Sequence, residues 1–125
     1  MVCRGIRGAT TAEANTREAI LGATRELLEK LVLENGLDLN DVACAVFSTT
    51  RDLNAEFPAA AARQLGWGEI ALLCGHEMDV PDAMKGVIRV MVLVNTDKKP
   101  KDLVNVYLKE TYKLRQRVAS ENGRG

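Results

Sequence analysis

VIRVMVLVN, residues 87–95, is the most apolar run in the chain and reads as a strand, yet Arg89 stands inside it between Ile88 and Val90. A guanidinium stays charged in essentially any protein setting, so burying one demands a partner. Two readings stay open. In the first, the strand is covered on both faces and Arg89 meets a carboxylate, a ligand or a cavity. In the second, the strand has one wet face and Arg89 is a surface charge or a structural pair for Glu77. The stretch just upstream, CGHEMDVPDAMKG (74–86), holds Cys74, His76, Glu77 and Asp79. Pro81, Asp82 and Gly86 punctuate it as a loop or weak helical turn.

Working outward, VCRGIRGAT (2–10) reads as a first strand with an arginine on each parity, Arg4 and Arg7. NTREAILGATRELLEKLVLENG (15–36) is the clearest helix. Asn15 is placed to cap it with Glu18 three residues on, and Gly36 to stop it. Ile20, Thr24, Leu27, Leu28, Leu31 and Asn35 keep helical spacing and define its buried stripe. Glu26 and Lys30 form a favourable i,i+4 pair, and Gly22 suggests close packing on a sheet. DVACAVFSTT (41–50) reads as a buried strand. PAAAARQLGW starts a short helix at Pro58 that Gly66 ends. EIALLC (69–74) is a third strand. VNVYLKETYKLR (104–115) nearly alternates and favours a last strand, with a helical turn around 101–106 as the alternative.

The element order β, α, β, α, β, β, β suits a mixed β-sheet with packed helices, α+β or an irregular α/β fold, with α+β preferred. With 125 residues the chain fits one domain and one modest core. Residues 1–115 are expected to form that domain, and 116–125 a polar, mobile tail. A core this small leaves a sheet edge or face to cover, which favours oligomerisation.

Acidic and basic residues balance at 17 each, which argues against nucleic acid as a partner. No segment approaches the roughly 20 apolar residues of a membrane span, and MVCRGIRGATTA is not a signal peptide. Cys3, Cys44 and Cys74 are unpaired in spacing. They read as thiols of a reducing compartment, so a cytoplasmic protein is expected. Cys74 and His76 are too few ligands for a structural zinc site, and no third group orients them as a nucleophile pair. Arg4, Arg7, Arg63 and Arg115 each read as a surface charge alone, but with Arg89 the five form a candidate cationic pocket. Together they suit planar, bidentate contact with a small carboxylated ligand. Tyr107 adds a phenol, and Phe57 is either core or a pocket wall.

The combination RGIRGAT (4–10), TTRDLNAEFPAAAARQLG (49–66), CGHEMDVP (74–81), IRVMVLVNTD (88–97) and VYLKETYKLR (106–115) closely resembles the monofunctional chorismate mutases of the AroH type. The resemblance covers nearly the whole chain in order. It implies a homotrimer built as a pseudo-α/β-barrel, with active sites between neighbouring chains. It also implies conversion of chorismate to prephenate without metal or cofactor, on the way to phenylalanine and tyrosine. By the same resemblance, Arg89 donates to the substrate's ether oxygen and Arg7 binds a carboxylate. Glu77 faces the ring hydroxyl with Cys74 beside it, and Tyr107 holds the side-chain carboxylate. Phe57 and Arg63 come from the adjacent chain, and Arg115 lies near a closing tail. Ala60 stands where the family often has a basic residue, and QRVASENGRG lacks the family's frequent Pro-Asp-Leu. Two rival functions are a noncatalytic metabolite-binding trimer and a small trimeric deaminase or hydrolase. The latter needs an activated water, for which the sequence shows no strong base.

Overall fold

The computed structural model describes residues 1–114. Five strands form one sheet: β1 (Val2–Thr11), β2 (Val42–Thr49), β3 (Ala71–His76), β4 (Val87–Thr96) and β5 (Val106–Tyr107). Two complete α-helices accompany them among the described residues, α1 (Arg17–Asn35) and α2 (Ala59–Gln64). The strand order is β3-β2-β4-β1-β5. β4 runs antiparallel to both of its neighbours, β1 and β2. The outer pairs, β2–β3 and β1–β5, are parallel. The sheet is therefore mixed, as expected.

The expected pseudo-barrel is not what forms. β3 and β5 lie at opposite edges of an open sheet in a single chain. Closure would require those two edges to pair, and β5 is only two residues long.

The helices cover one face. α1 buries Ile20, Thr24, Leu27, Leu28, Leu31 and Asn35, the stripe that the 3.6-residue period marks. Leu27 and Leu31 press onto Gly8 of β1, where an added Cβ would stand 3.1 and 3.0 Å from their methyl groups. Gly8, and not Gly22, is thus the glycine that lets helix and sheet approach, since a Cβ at Gly22 meets nothing within 4 Å. Thr16 caps α1 by accepting the Ala19 N–H, while Asn15 turns instead to Asn54. Gly36 ends the helix in the left-handed region at φ 56°, as Leu37 N–H reaches back to Val32 O. Lys30 pairs with Glu34 and not with Glu26. Pro58 opens α2, whose Ala59, Ala61 and Ala62 are buried, so the small side chains allow close contact. Phe47 and Trp67 are the largest side chains in the core, and burying each contributes on the order of 1.5–3 kcal/mol.

The last segment departs from its pattern. Among its described residues only Val106 and Tyr107 pair as strand, and a 3-10 turn follows at Lys109–Thr111. The approach is a 3-10 turn at Pro100–Asp102, close to the helical alternative. Asn35 fixes this segment. Its buried amide donates to Leu31 O and Val104 O and accepts the Val104 N–H. No described helix is long and apolar enough to cross a membrane.

Candidate active site

Strand pairing decides which side chains share a face. Partners in register project to the same side of a sheet, and the side alternates along each strand. One row across all five strands is Gly75, Ser48, Arg89, Ala9 and Tyr107. The next is Leu73, Val46, Met91 and Arg7. Both rows lie on the face away from the helices. Arg89 is therefore on a wet face, while its neighbours Ile88 and Val90 point into the core. β4 therefore has one wet face and is not covered on both sides at Arg89.

Arg89 is nonetheless fixed in place. Its Nε stands 2.7 Å from Glu77 Oε1, with the two side chains 48% and 30% exposed. Among the described residues Glu77 is the one carboxylate in ion-pair range. The contact uses the inner nitrogen of the guanidinium, and about half of the side chain stays exposed. Arg7 is exposed on the adjacent row, a diagonal neighbour of Arg89, and such neighbours in a sheet are about 7–8 Å apart. Its backbone N–H donates to Asn105 Oδ1, which ties β1 to the segment entering β5. Arg7, Glu77, Arg89 and Tyr107 thus gather on one open face.

Phe57, Arg63 and Cys74 form a different group. Cys74 pairs in register with the buried Phe47 and so lies on the helix-covered side. It lines a cavity of about 300 Å³ with Phe57, Pro58, Glu56, Thr49 and His76. Phe57 is 66% exposed, so it is a wall and not core. Burial pushes the Cys74 thiol up, against the opposing Ala59 N–H and the nearby charge of Arg63. A thiol raised in this way stays protonated near neutrality and is a poor nucleophile. The Phe57 N–H, followed by Arg17 and then Arg63, holds the Glu56 carboxyl below the usual carboxylate range, against partial desolvation. A second hollow, about 450 Å³, lies under the 77–85 loop and includes Glu77, Arg51 and Lys85. Arg115 lies outside the described residues.

Sequence reasoning passed over Glu56 and Thr49. The signal for Glu56 was its place immediately before Phe57-Pro58, where a carboxylate can accept the next residue's N–H. Nothing local marked Thr49 as the residue that holds His76.

An exposed sheet face with two arginines, a carboxylate and a phenol, beside an open cavity, defines a small α+β protein suited to a compact anionic ligand. Comparison with known proteins narrows that class. The family profile described as Chorismate mutase type I matches residues 3–118. The chain is 48% identical over 119 residues to chorismate mutase AroH of Thermus thermophilus, covering 94% of this chain and 97% of that one. It is 47% identical over 116 residues to chorismate mutase AroH of Bacillus subtilis (strain 168), covering 92% and 91%. Among solved structures, a chorismate mutase from Clostridium thermocellum superposes with a TM-score of 0.86 at 45% identity, covering 88% of this chain and 98% of that one. The chain belongs to the type I chorismate mutase family.

Proposed function

We propose that this enzyme isomerises chorismate to prephenate at a site centred on Arg89 and completed by a neighbouring copy of the chain. Family membership supports the reaction. The observation that carries the site is the open-face cluster, in which Glu77 holds Arg89 at 2.7 Å while the arginine side chain stays 48% exposed.

The reaction is a concerted, unimolecular rearrangement, and it needs no nucleophile and no proton transfer. The carbon–oxygen bond breaks ahead of full carbon–carbon bond formation, so the ether oxygen gains negative charge. A guanidinium already fixed toward that oxygen stabilises the transition state more than the ground state. Arg7 and Tyr107 take the substrate's carboxylates and hold its side chain folded over the ring, so the ordering is done before the bond changes begin. Glu77 accepts from the ring hydroxyl while keeping Arg89 aligned. The protonated Cys74 thiol fits a donor or packing role beside that hydroxyl.

Two features support a shared site. First, Phe57, Arg63 and Cys74 stand apart from the Arg89 cluster, across the sheet. One chain therefore offers two half-sites facing different ways. Second, Leu73, Val46 and Met91 leave an apolar row exposed directly beside Arg7 and Arg89. Contiguous apolar surface of this kind marks an interaction face. We assign the assembly to three copies, each lending Phe57, Arg63 and Cys74 to the Arg89 face of the next. Residues 1–115 are the catalytic domain in this reading, and Arg115 with the tail is assigned to closure. The three free thiols suit a reducing compartment, hence the cytoplasm.

Mixing variants tests the shared site. Arg89→Ala and Arg63→Ala chains, each impaired alone, are unfolded together, refolded and assayed for chorismate turnover. A shared site restores part of the activity, because some interfaces combine an intact Arg89 with an intact Arg63. Activity no higher than the average of the two separate variants would count against it.

A further inference from the structure

His76 is the single histidine, and the reaction gives it no chemical task. Its ring is nevertheless held. Nδ1 lies 3.2 Å from Thr49 Oγ1 and 3.3 Å from the Thr49 carbonyl oxygen. Thr49 Oγ1 donates its one proton to Leu53 O at 3.1 Å, so it acts as an acceptor toward the ring. A carbonyl oxygen only accepts. Nδ1 therefore carries the hydrogen.

The Thr49 carbonyl also accepts the Glu77 N–H at 2.8 Å. One oxygen thus anchors both the His76 ring and the amide of the next residue. Thr50 extends the link in the other direction. Its N–H donates to Val87 O at 3.0 Å, and its Oγ1 accepts the Val87 N–H at 3.0 Å. The end of β2 consequently ties the exit of β3, where Glu77 leaves the sheet, to the entry of β4, two residues before Arg89.

We propose that His76 is a positioning residue: its Nδ1–H clamps Thr49 and thereby sets where Glu77 leaves the sheet to meet Arg89. This rests on the reading of Glu77 and Arg89 as the groups that face the substrate. His76 is exposed and outside the core, so the clamp acts on the geometry of the ion pair more than on global stability.

Asparagine places an amide N–H at about the position of Nδ1, one bond beyond Cγ, whereas alanine places nothing there. His76→Ala should lower kcat/KM roughly fivefold, the scale of one hydrogen bond, with little change in Tm. His76→Asn should recover to within about twofold of the parent. In a Glu77→Ala background, His76→Ala should have almost no further effect, because there is no carboxylate left to position. Amide hydrogen exchange at Glu77 should quicken in His76→Ala and not in His76→Asn, a readout independent of activity. The proposal is overturned by unchanged kcat/KM in His76→Ala, by a loss that persists in full without Glu77, or by unchanged exchange at the Glu77 amide. Absence of turnover in the parent protein would instead overturn the underlying reading of the site.

Discussion

Replacing Arg89 with lysine separates catalysis from folding more cleanly than any other single change. Lysine keeps the charge and much of the stem, but it is a compact ammonium without the planar fork. The stability term follows from exposure. Arg89 and Glu77 are 48% and 30% exposed. A pair this wet contributes on the order of 0–1 kcal/mol, and lysine retains part of that. For a chain of this length, that is a Tm decrease of a few degrees, at roughly 2–8 °C per kcal/mol. The catalytic term is larger. Removing one oriented donor from a developing oxyanion costs on the order of 10²–10³ in kcat. Arg89→Lys should therefore lose about two orders of magnitude in turnover while remaining folded. Loss of chorismate absorbance gives the rate, and thermal unfolding gives Tm. Turnover within about threefold of the parent, or a Tm collapse that accounts for the loss, would refute the electrostatic argument.

Three further outcomes follow from other parts of the structure. Burial raises the Cys74 thiol, so a thiol reagent near neutral pH should modify the exposed Cys3 first by mass spectrometry. Cys74→Ser should retain turnover within about tenfold, since no nucleophile is needed, and preferential labelling of Cys74 with complete loss in the serine variant would contradict this. Glu56 is held below the usual carboxylate range in the fold, by the Phe57 N–H first and by Arg17 next. A depressed folded value means its stabilisation is present above the ordinary carboxylate range and is lost as pH falls through the lower folded value. Glu56→Gln should flatten that part of the acid unfolding curve, and an unchanged curve would exclude Glu56 as a contributor. Asn35 makes three hydrogen bonds, a buried one to Leu31 and two half-buried ones to Val104. Asn35→Ala should cost about 2–3 kcal/mol in denaturant unfolding, and a loss below about 0.5 kcal/mol would show that water replaces those bonds.

The strong local patterns in the sequence carried most of the fold. Leu27, Leu28 and Leu31 marked the buried face of α1, and the apolar run at 87–95 marked β4. The alternation at 104–115 misled because side-chain parity says nothing about available partners. The segment sits at a sheet edge where, among the described residues, only Val106 and Tyr107 are in strand register with β1. The wet face of β4 was hidden for a related reason. Met91 and Leu93 share parity with Arg89, so the exposed face is itself partly apolar and shows no polar alternation. Closure into a barrel depends on how edges meet, and local sequence does not encode that. Arg89 stood out at once as a charge among aliphatic residues. The separation of Cys74 from Glu77 onto opposite sides follows from strand register, which becomes visible only when β2, β3 and β4 are aligned.

The most direct measurement is turnover of chorismate by the purified protein in ¹⁸O-labelled water, with and without a strong chelator, and with the product identified by NMR. The account predicts one-for-one conversion to prephenate at the same rate in both conditions, with no net gain of water and no ¹⁸O in the product beyond the ketone oxygen, which exchanges with solvent by itself. Failure to convert chorismate, or a product that has gained an oxygen from water beyond that exchange, would contradict it.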